Sequence, residues 1–163
     1  MFLKSVCFLL AILLSGFLTA EAGQNGVVQL ANSVGFKGCD AFIEEETASS
    51  VSSNFRANVN YFKETSNDSI LISVTYGKTN DTVNVDYFFS KKNGACYAQV
   101  SSVVTEQGNC GALLQEDEFF KYTNQGGGAL WAVNKGGVIK VSSQSGDMCI
   151  HKYLRSNKGV ASK

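Results

Sequence analysis

The chain has 163 residues and carries 14 lysines and arginines against 14 aspartates and glutamates, so it is formally neutral at pH 7. Nucleic acids and anionic membrane surfaces attract basic proteins, and this balance therefore argues against both kinds of partner. The length suits a single domain with a hydrophobic core of its own.

Residues 1–22 have the features of a signal peptide. Lys4 precedes the apolar run Ser5–Leu18, and Ala20-Glu21-Ala22 supplies the small residues of a cleavage site. A retained anchor is the alternative, but the run is shorter than the roughly 20 apolar residues that cross a bilayer. Cleavage would leave 141 of the 163 residues, beginning at Gly23. We expect a secreted or periplasmic protein with no membrane span after removal of the leader.

Four cysteines follow the leader, and in an exported protein they predict two disulfides. They are Cys39, Cys96, Cys110 and Cys149. Zinc is the competing explanation, but no Cys-x-x-Cys pair occurs and the one histidine, His151, cannot complete a usual cluster, so we predict no metal. Three pairings are possible and the sequence does not choose among them. We favour Cys96 with Cys110 and Cys39 with Cys149, which requires a bulge in the strand between them, at Ser101-Ser102.

The leader is followed by a glycine- and asparagine-rich segment, residues 23–38, which predicts a flexible lead-in or an edge strand. A helix is favoured from Asp40, because Asp40 can cap it and Glu44, Glu45 and Glu46 suit the positive end of its dipole. An apolar stripe follows at spacings of four, four and three, formed by Val51, Phe55, Val59 and Phe62. We predict a long N-terminal helix that packs this stripe, together with Phe42, on a sheet.

The rest of the chain alternates between polar and apolar residues, which predicts antiparallel strands. The predicted strands are Ile70–Tyr76, Val83–Phe89, Cys96–Val104, Ala129–Val133, Val138–Ser142 and Met148–Tyr153. Asn93-Gly94 suits a tight hairpin turn, and Ala112–Tyr122 can form one or two helical turns. No internal repeat is apparent. The fold class predicted is α+β: a long N-terminal helix on an antiparallel sheet of five to six strands, in one domain over residues 39–154, with a polar tail at 155–163.

No motif in the sequence indicates catalysis. His151 is the one candidate base and has no nucleophile motif beside it, so we interpret it as a half-exposed strand histidine. Paired carboxylates could hydrolyse glycosides. The acids available for this are Asp40, Glu44, Glu116 and Glu118. Acids at helix starts more often stabilise the helix, and we predict a non-enzymatic protein with no catalytic residue and no cofactor.

The aromatic residues outnumber what one small core needs, and large amphipathic side chains are common anchors of interfaces. Seven of the aromatic residues outside the predicted helix stripe are candidates for such a role, namely Tyr61, Tyr97, Phe119, Phe120, Tyr122, Trp131 and Tyr153. They could also simply fill the two sides of the sheet. The candidate partner-binding site is a glycine-rich loop that delivers a leucine and a tryptophan, comprising Gly126, Gly127, Gly128, Leu130 and Trp131.

The function predicted from these features is that of an exported, disulfide-stabilised, non-enzymatic binding protein, an inhibitor or an envelope accessory factor. Its partner would be another exported or envelope protein and not a nucleic acid. Two alternatives stay open: a small secreted hydrolase that uses carboxylates, and a structural protein of a surface layer or matrix.

Overall fold

Residues 26–51, 54–78 and 81–161 are described by a computed structural model of the chain. The predicted signal peptide lies outside these residues. The helices are α1 (Gly26–Ser33), α2 (Asp40–Thr47) and α3 (Cys110–Glu116). The strands are β1 (Arg56–Asn60), β2 (Ser69–Lys78), β3 (Asp81–Lys92), β4 (Ala95–Gln107), β5 (Phe120–Gly126), β6 (Ala129–Asn134), β7 (Ile139–Ser145) and β8 (Met148–Val160).

The eight described strands form one antiparallel sheet in the order β1-β2-β3-β4-β8-β7-β6-β5. Two four-stranded meanders are joined side by side through β4 and β8, which pair over their full lengths from Ala95↔Val160 to Gln107↔Met148. The predicted α+β fold, with a long N-terminal helix and five to six strands, is therefore wrong. The described residues form mostly an eight-stranded antiparallel sheet, with three short helices and two disulfides.

The predicted long helix ends after about two turns, at Thr47. Beyond this point the chain is rich in serine, and the hydroxyls of Thr47 and Ser50 donate hydrogen bonds to the carbonyls of Ile43 and Thr47. Such bonds between side chain and backbone compete with continued helix.

Two residues of the apolar stripe belong to the region of a strand: Val59 lies in β1, and Phe55 directly precedes it. A spacing of four residues is also twice the strand period, and Phe55, Ala57 and Val59 pack against the core as alternate residues at β1. Phe62, which the stripe placed in the core, is 80% exposed.

Both ends of the described chain contain more regular secondary structure than the sequence predicted. Residues 23–38, predicted as a lead-in or edge strand, contain α1, whose Val27, Val28 and Ala31 are buried in the core. The predicted polar tail from residue 155 begins within β8, whose pairing with β4 continues to Val160.

The sheet has two halves with the same order of elements. In the first half α2 is followed by the meander β1–β4, and in the second half α3 is followed by β5–β8. β4 and β8 are each 13 residues long and pair symmetrically, with Ser101 opposite Leu154 at the centre. A pseudo-two-fold axis therefore passes between Ser101 and Leu154. The structure contains an internal repeat that the sequence did not reveal.

Equivalent backbone hydrogen bonds occur at the two ends of this central strand pair. Gly108 N donates to the carbonyl of Asp147 at 2.8 Å, and Ala161 N donates to the carbonyl of Gly94 at 3.1 Å. The two donors follow β4 and β8, and the two acceptors lie in the turns that precede β8 and β4. The pseudo-symmetry thus extends to the hairpin turns.

The disulfides obey the same symmetry. They join Cys39 to Cys96 and Cys110 to Cys149. Each links the start of a helix to the second residue of the last strand in its own half. The predicted pairing is wrong because β4 continues without a bulge through Ser101-Ser102, so Cys96 and Cys110 lie at opposite ends of that strand.

The hydrophobic core belongs to the first half. Within the described residues, every fully buried member of the main hydrophobic cluster lies between Val27 and Val100, on α1, α2 and strands β2–β4 and the loops between the helices. The carboxylate of Glu46, at the end of α2, accepts hydrogen bonds from Arg155 and Asn157 of β8 and so ties α2 to the second half.

Candidate functional site

The described helices all lie on one side of the sheet. Arg155 of β8 contacts Glu46 of α2. Cys149 points to the same side of β8 because it lies an even number of residues away, and it is bonded to Cys110 of α3. α1 shares its core with α2. We call the opposite side of the sheet, which no described helix covers, the open face.

The two halves bury different kinds of side chain beneath their helices. The pseudo-two-fold axis relates three buried residues of the first half, Tyr87, Phe89 and Ala98, to three buried residues of the second, Lys140, Ser142 and His151. The second half therefore has a polar interior at the positions where the first half has its apolar core. We call Lys140, Ser142 and His151, with Asp117 and Glu106, the polar cluster.

Lys140 and Asp117 hold the end of α3 to β7. The ammonium of Lys140 lies 2.7 Å from a carboxylate oxygen of Asp117 and above the rings of Phe120 and Tyr153. Burial alone would raise the pKa of Asp117, but the hydrogen bonds from Lys140 and from the amides of Phe119 and Phe120 outweigh it and lower that pKa. Burial opposes the charge on Lys140 too, and Asp117 outweighs it, so the pKa of Lys140 is raised.

His151 lies in the middle of the polar cluster. Its Nδ1 is 2.8 Å from Ser142 Oγ, and its Nε2 is 3.4 Å from a carboxylate oxygen of Glu106 without the geometry of a hydrogen bond. Burial lowers the pKa of His151 and the positive charge of Lys140 lowers it further, while Glu106 acts in the opposite direction. The imidazole is therefore neutral at pH 7.

Ser142, His151 and Glu106 have the composition of a catalytic triad, but the serine and the histidine are enclosed, and Glu106 is the exposed member. Ser142 and His151 are each 1% exposed. A nucleophilic hydroxyl must reach a substrate carbonyl, and this hydroxyl lies in the interior beneath α3. The arrangement does not provide a site that substrate can enter, and His151 is a buried residue rather than the half-exposed one that was predicted.

The open face of the second half is apolar. Five residues, which are paired directly in two rows across the strands, form what we call the apolar patch. They are Trp131, Val133, Ile139, Val141 and Leu154. Trp131 and Ile139 are each 36% exposed and the other three are half-buried. Branched aliphatic side chains, which usually fill a core, thus lie on the side of the second half that no described helix covers.

A single row of paired residues crosses the whole open face and shows the contrast between the halves. The row is Asn58, Ser73, Asp86, Ser101, Leu154, Ile139, Val133 and Lys121. It is polar in the first half, where Ser73 donates a hydrogen bond of 2.6 Å to Asp86. It becomes apolar at the pseudo-two-fold axis and ends on a lysine.

A pocket of about 660 Å³ lies where the apolar patch meets the first half. Ile139 and Leu154 line it from the patch, and Leu71 and Phe88 line it from β2 and β3. The turn at Gly136-Gly137 closes one side. Polar residues line the pocket as well, and they are Asp86, Gln99, Ser101, Arg155 and Ser156. A concave surface that combines apolar side chains with polar groups is typical of a binding site.

The charges are separated between the two sides of the molecule. The three described helices carry no lysine or arginine, and their acids are Asp40, Glu44, Glu45, Glu46 and Glu116. On the open face, the bases at described strand positions are Arg56, Lys92, Lys121, Lys152 and Lys158. The acid among those positions is Asp86. A chain that is neutral as a whole therefore has a basic open face.

The predicted partner-binding residues do not lie together on one face of the sheet. Gly126 ends β5, and Gly127 and Gly128, both with positive φ, form a tight two-residue turn into β6. Leu130 pairs with Ser142 and faces the helix side, whereas Trp131 pairs with Val141 and belongs to the apolar patch. The structure thus brings Trp131 together with residues that the sequence analysis did not select and separates it from Leu130.

The predicted acids do not converge. Each of four pockets formed by the described residues contains a single carboxylate, from Asp86, Glu118, Asp68 and Asp147 respectively. Asp40 accepts a hydrogen bond from Asn32. Glu44 is exposed on α2, and Glu116 is exposed at the end of α3.

The described residues contain no group of three or more histidine, cysteine, aspartate or glutamate side chains that could hold a metal ion. Within the same ranges, no helix has the length and apolar character needed to cross a membrane. No protein-family model, curated protein or solved structure significantly matches the chain.

Apart from Trp131, the residues of the apolar patch were not predicted as a site, and the same is true of the polar cluster apart from His151. The alternation of Ile139 and Val141 with Lys140 and Ser142 is plain in the sequence. That alternation shows that the two sets face opposite sides, but it does not show which side a helix covers. The usual interpretation places the aliphatic set inside, and in this protein the lysine and the serine are inside.

Proposed function

We propose that this chain is an exported, disulfide-stabilised, non-enzymatic binding protein that recognises another exported or envelope protein through its open face. The observation that carries the proposal is the apolar patch. The same strands bury a lysine, a serine and a histidine on their helix side and leave Trp131, Ile139 and their neighbours uncovered. Apolar residues in that position lower the free energy of an assembly when a partner covers them.

The export part of the proposal is supported by the leader sequence and by the two disulfides, which persist in oxidising compartments. The non-enzymatic part is supported by the closed position of Ser142 and His151 and by the single carboxylate in each of the four pockets. A role as an inhibitor or an accessory factor is consistent with recognition of this kind.

Capture by the oxidised protein, residues 23–163, from the envelope and medium of its own source tests the proposal. We expect one stoichiometric protein to be retained and to be lost on Trp131→Ala. Phe62→Ala is the matched control, because Phe62 is an exposed aromatic residue outside the sheet. If both variants retain the partner equally, the binding site does not include Trp131 and lies outside the apolar patch. Self-association of the mature protein in sedimentation would instead support the structural alternative.

A further inference from the structure

Two lysines end the rows of the apolar patch. Lys121 is paired directly with Val133, and Lys152 is paired directly with Val141. Both are exposed. In the described part of the chain, the ion pairs involve other residues, and neither lysine has a carboxylate within salt-bridge distance. An apolar centre is therefore flanked by two cations whose counter-charges are not supplied from within the described structure.

From this we propose the kind of partner, an inference that rests on the proposed function. We propose that the partner is a protein that presents an apolar protrusion flanked by aspartate or glutamate, with the protrusion on the apolar patch and the carboxylates on Lys121 and Lys152. Complementary charge at the rim of an apolar interface steers association and fixes register.

The shape of the surface favours a protrusion. Ile139 and Leu154 belong both to the apolar patch and to the 660 Å³ pocket, so the patch continues into a concavity at the pseudo-two-fold axis. A flat partner would leave the apolar side chains of that concavity, among them Phe88 and Leu154, without contacts, and the contact energy would be lost. A side chain or a short turn that projects from the partner would fill it.

Other occupants fit less well. A second copy packed symmetrically through this surface would bring lysines against lysines, because the same basic face would lie on both sides. A lipid surface is best reached by protruding loops, whereas the patch lies on the strands of a sheet and is at most partly exposed. A nucleic acid prefers aromatic platforms on which bases stack, and four of the five patch residues are aliphatic.

The test uses three short synthetic peptides that share a Leu-Trp-Leu centre and differ in their flanks, which are acidic, serine-only or basic. Binding to the oxidised protein, residues 23–163, is measured for the wild type, for Lys121→Glu with Lys152→Glu, and for Lys37→Glu with Lys78→Glu. The last variant makes the same charge change at exposed bases outside the open face. Circular dichroism confirms that each variant is folded.

We expect the wild type to bind the acidic peptide with the highest affinity of the three. The Lys121/Lys152 variant should bind the acidic peptide about tenfold more weakly than the wild type does, and it should bind the basic peptide more tightly. The Lys37/Lys78 variant should rank the three peptides by affinity in the same order as the wild type. Equal binding of all three peptides, with loss on Trp131→Ala, would overturn the charge inference and leave the proposed function standing. No binding by any peptide would overturn both.

Two further measurements address the other occupants. Binding to vesicles of phosphatidylcholine and phosphatidylserine, or to a single-stranded oligonucleotide, that exceeds binding to the acidic peptide and depends on Lys121 and Lys152 would overturn the inference. A dimer in sedimentation that is abolished by Trp131→Ala would assign the patch to a second copy of the chain and would also overturn it.

Discussion

His151 makes the stability of this protein depend on pH. Its pKa in the folded state lies below the ordinary value of 6.5, because burial and Lys140 oppose protonation. The unfolded state therefore takes up a proton first as the pH falls through about 6.5, and the free energy of unfolding decreases. Lys140, Asp117, Glu106 and Tyr153 are the titratable groups around the ring.

We expect urea denaturation to give a lower free energy of unfolding at about pH 5.5 than at about pH 7.5. In His151→Gln this difference should shrink, whatever the variant costs at neutral pH. The chain has a single histidine, so no other imidazole contributes. An unchanged pH dependence in the variant would show that the imidazole is not buried in its neutral form.

The pair of Lys140 and Asp117 gives a second prediction at the scale of single residues. Lys140→Met leaves Asp117 without its ammonium partner, and we expect a loss of about 2–4 kcal/mol in the free energy of unfolding, since breaking a largely buried ion pair leaves an uncompensated charge. Asp117→Asn in the same background should recover part of the loss. Denaturation of Lys140→Met, of Asp117→Asn and of the double variant measures the interaction energy between the two side chains. If the two single losses of unfolding free energy simply add in the double variant, the ion pair does not contribute as expected.

At the scale of elements, the contact of α2 with β8 depends on a glycine. A Cβ atom on Gly159 would overlap the ring of Phe42, which is buried against the core. We expect Gly159→Ala to lower the free energy of unfolding by about 1–3 kcal/mol, because the ring must move within a packed core. Gly126→Ala is the control: it is exposed, and its new methyl group would meet no atom within 4 Å. Equal stability of the two variants would mean that Phe42 moves aside at little cost.

The elements that the sequence predicted correctly are the hairpins, because their signals are local. The strands predicted at Ile70–Tyr76 and Val83–Phe89 and the turn at Asn93-Gly94 all occur, since alternation and turn chemistry act within a few residues. The stripe from Val51 to Phe62 failed because a spacing of four fits a strand as well as a helix. β5 was missed because its residues are mostly polar and exposed.

The disulfide pairing depends on information of longer range. Knowing the pairing requires knowing that β4 lies between β3 and β8 and that α3 returns to the start of β8. No spacing of cysteines along the chain contains that information. The candidate site was likewise only partly predictable, since Trp131 could be selected by residue type but the face it shares with Ile139 and Leu154 follows from the topology.

At the scale of the whole molecule, the halves should differ in local stability. The first half has the large apolar core, whereas the second half is held by the polar cluster, a disulfide and the β4–β8 pairing. We expect backbone amides of β6 and β7 to exchange hydrogen with solvent sooner than those of β2 and β3, because opening the second half exposes less apolar surface. Mass spectrometry of deuterium uptake measures this. Equal protection in both halves would show that the sheet opens as one unit.

The connection between the halves is short and simple. The chain passes from β4 to α3 through Gly108 and Asn109, and each half keeps its own disulfide. A cut at this point would separate no cysteine from its partner and would leave the long β4–β8 seam to hold the pieces together. The protein is therefore a natural candidate for a split reporter: two fragments divided at this linker, each oxidised separately, should recover the native sheet on mixing.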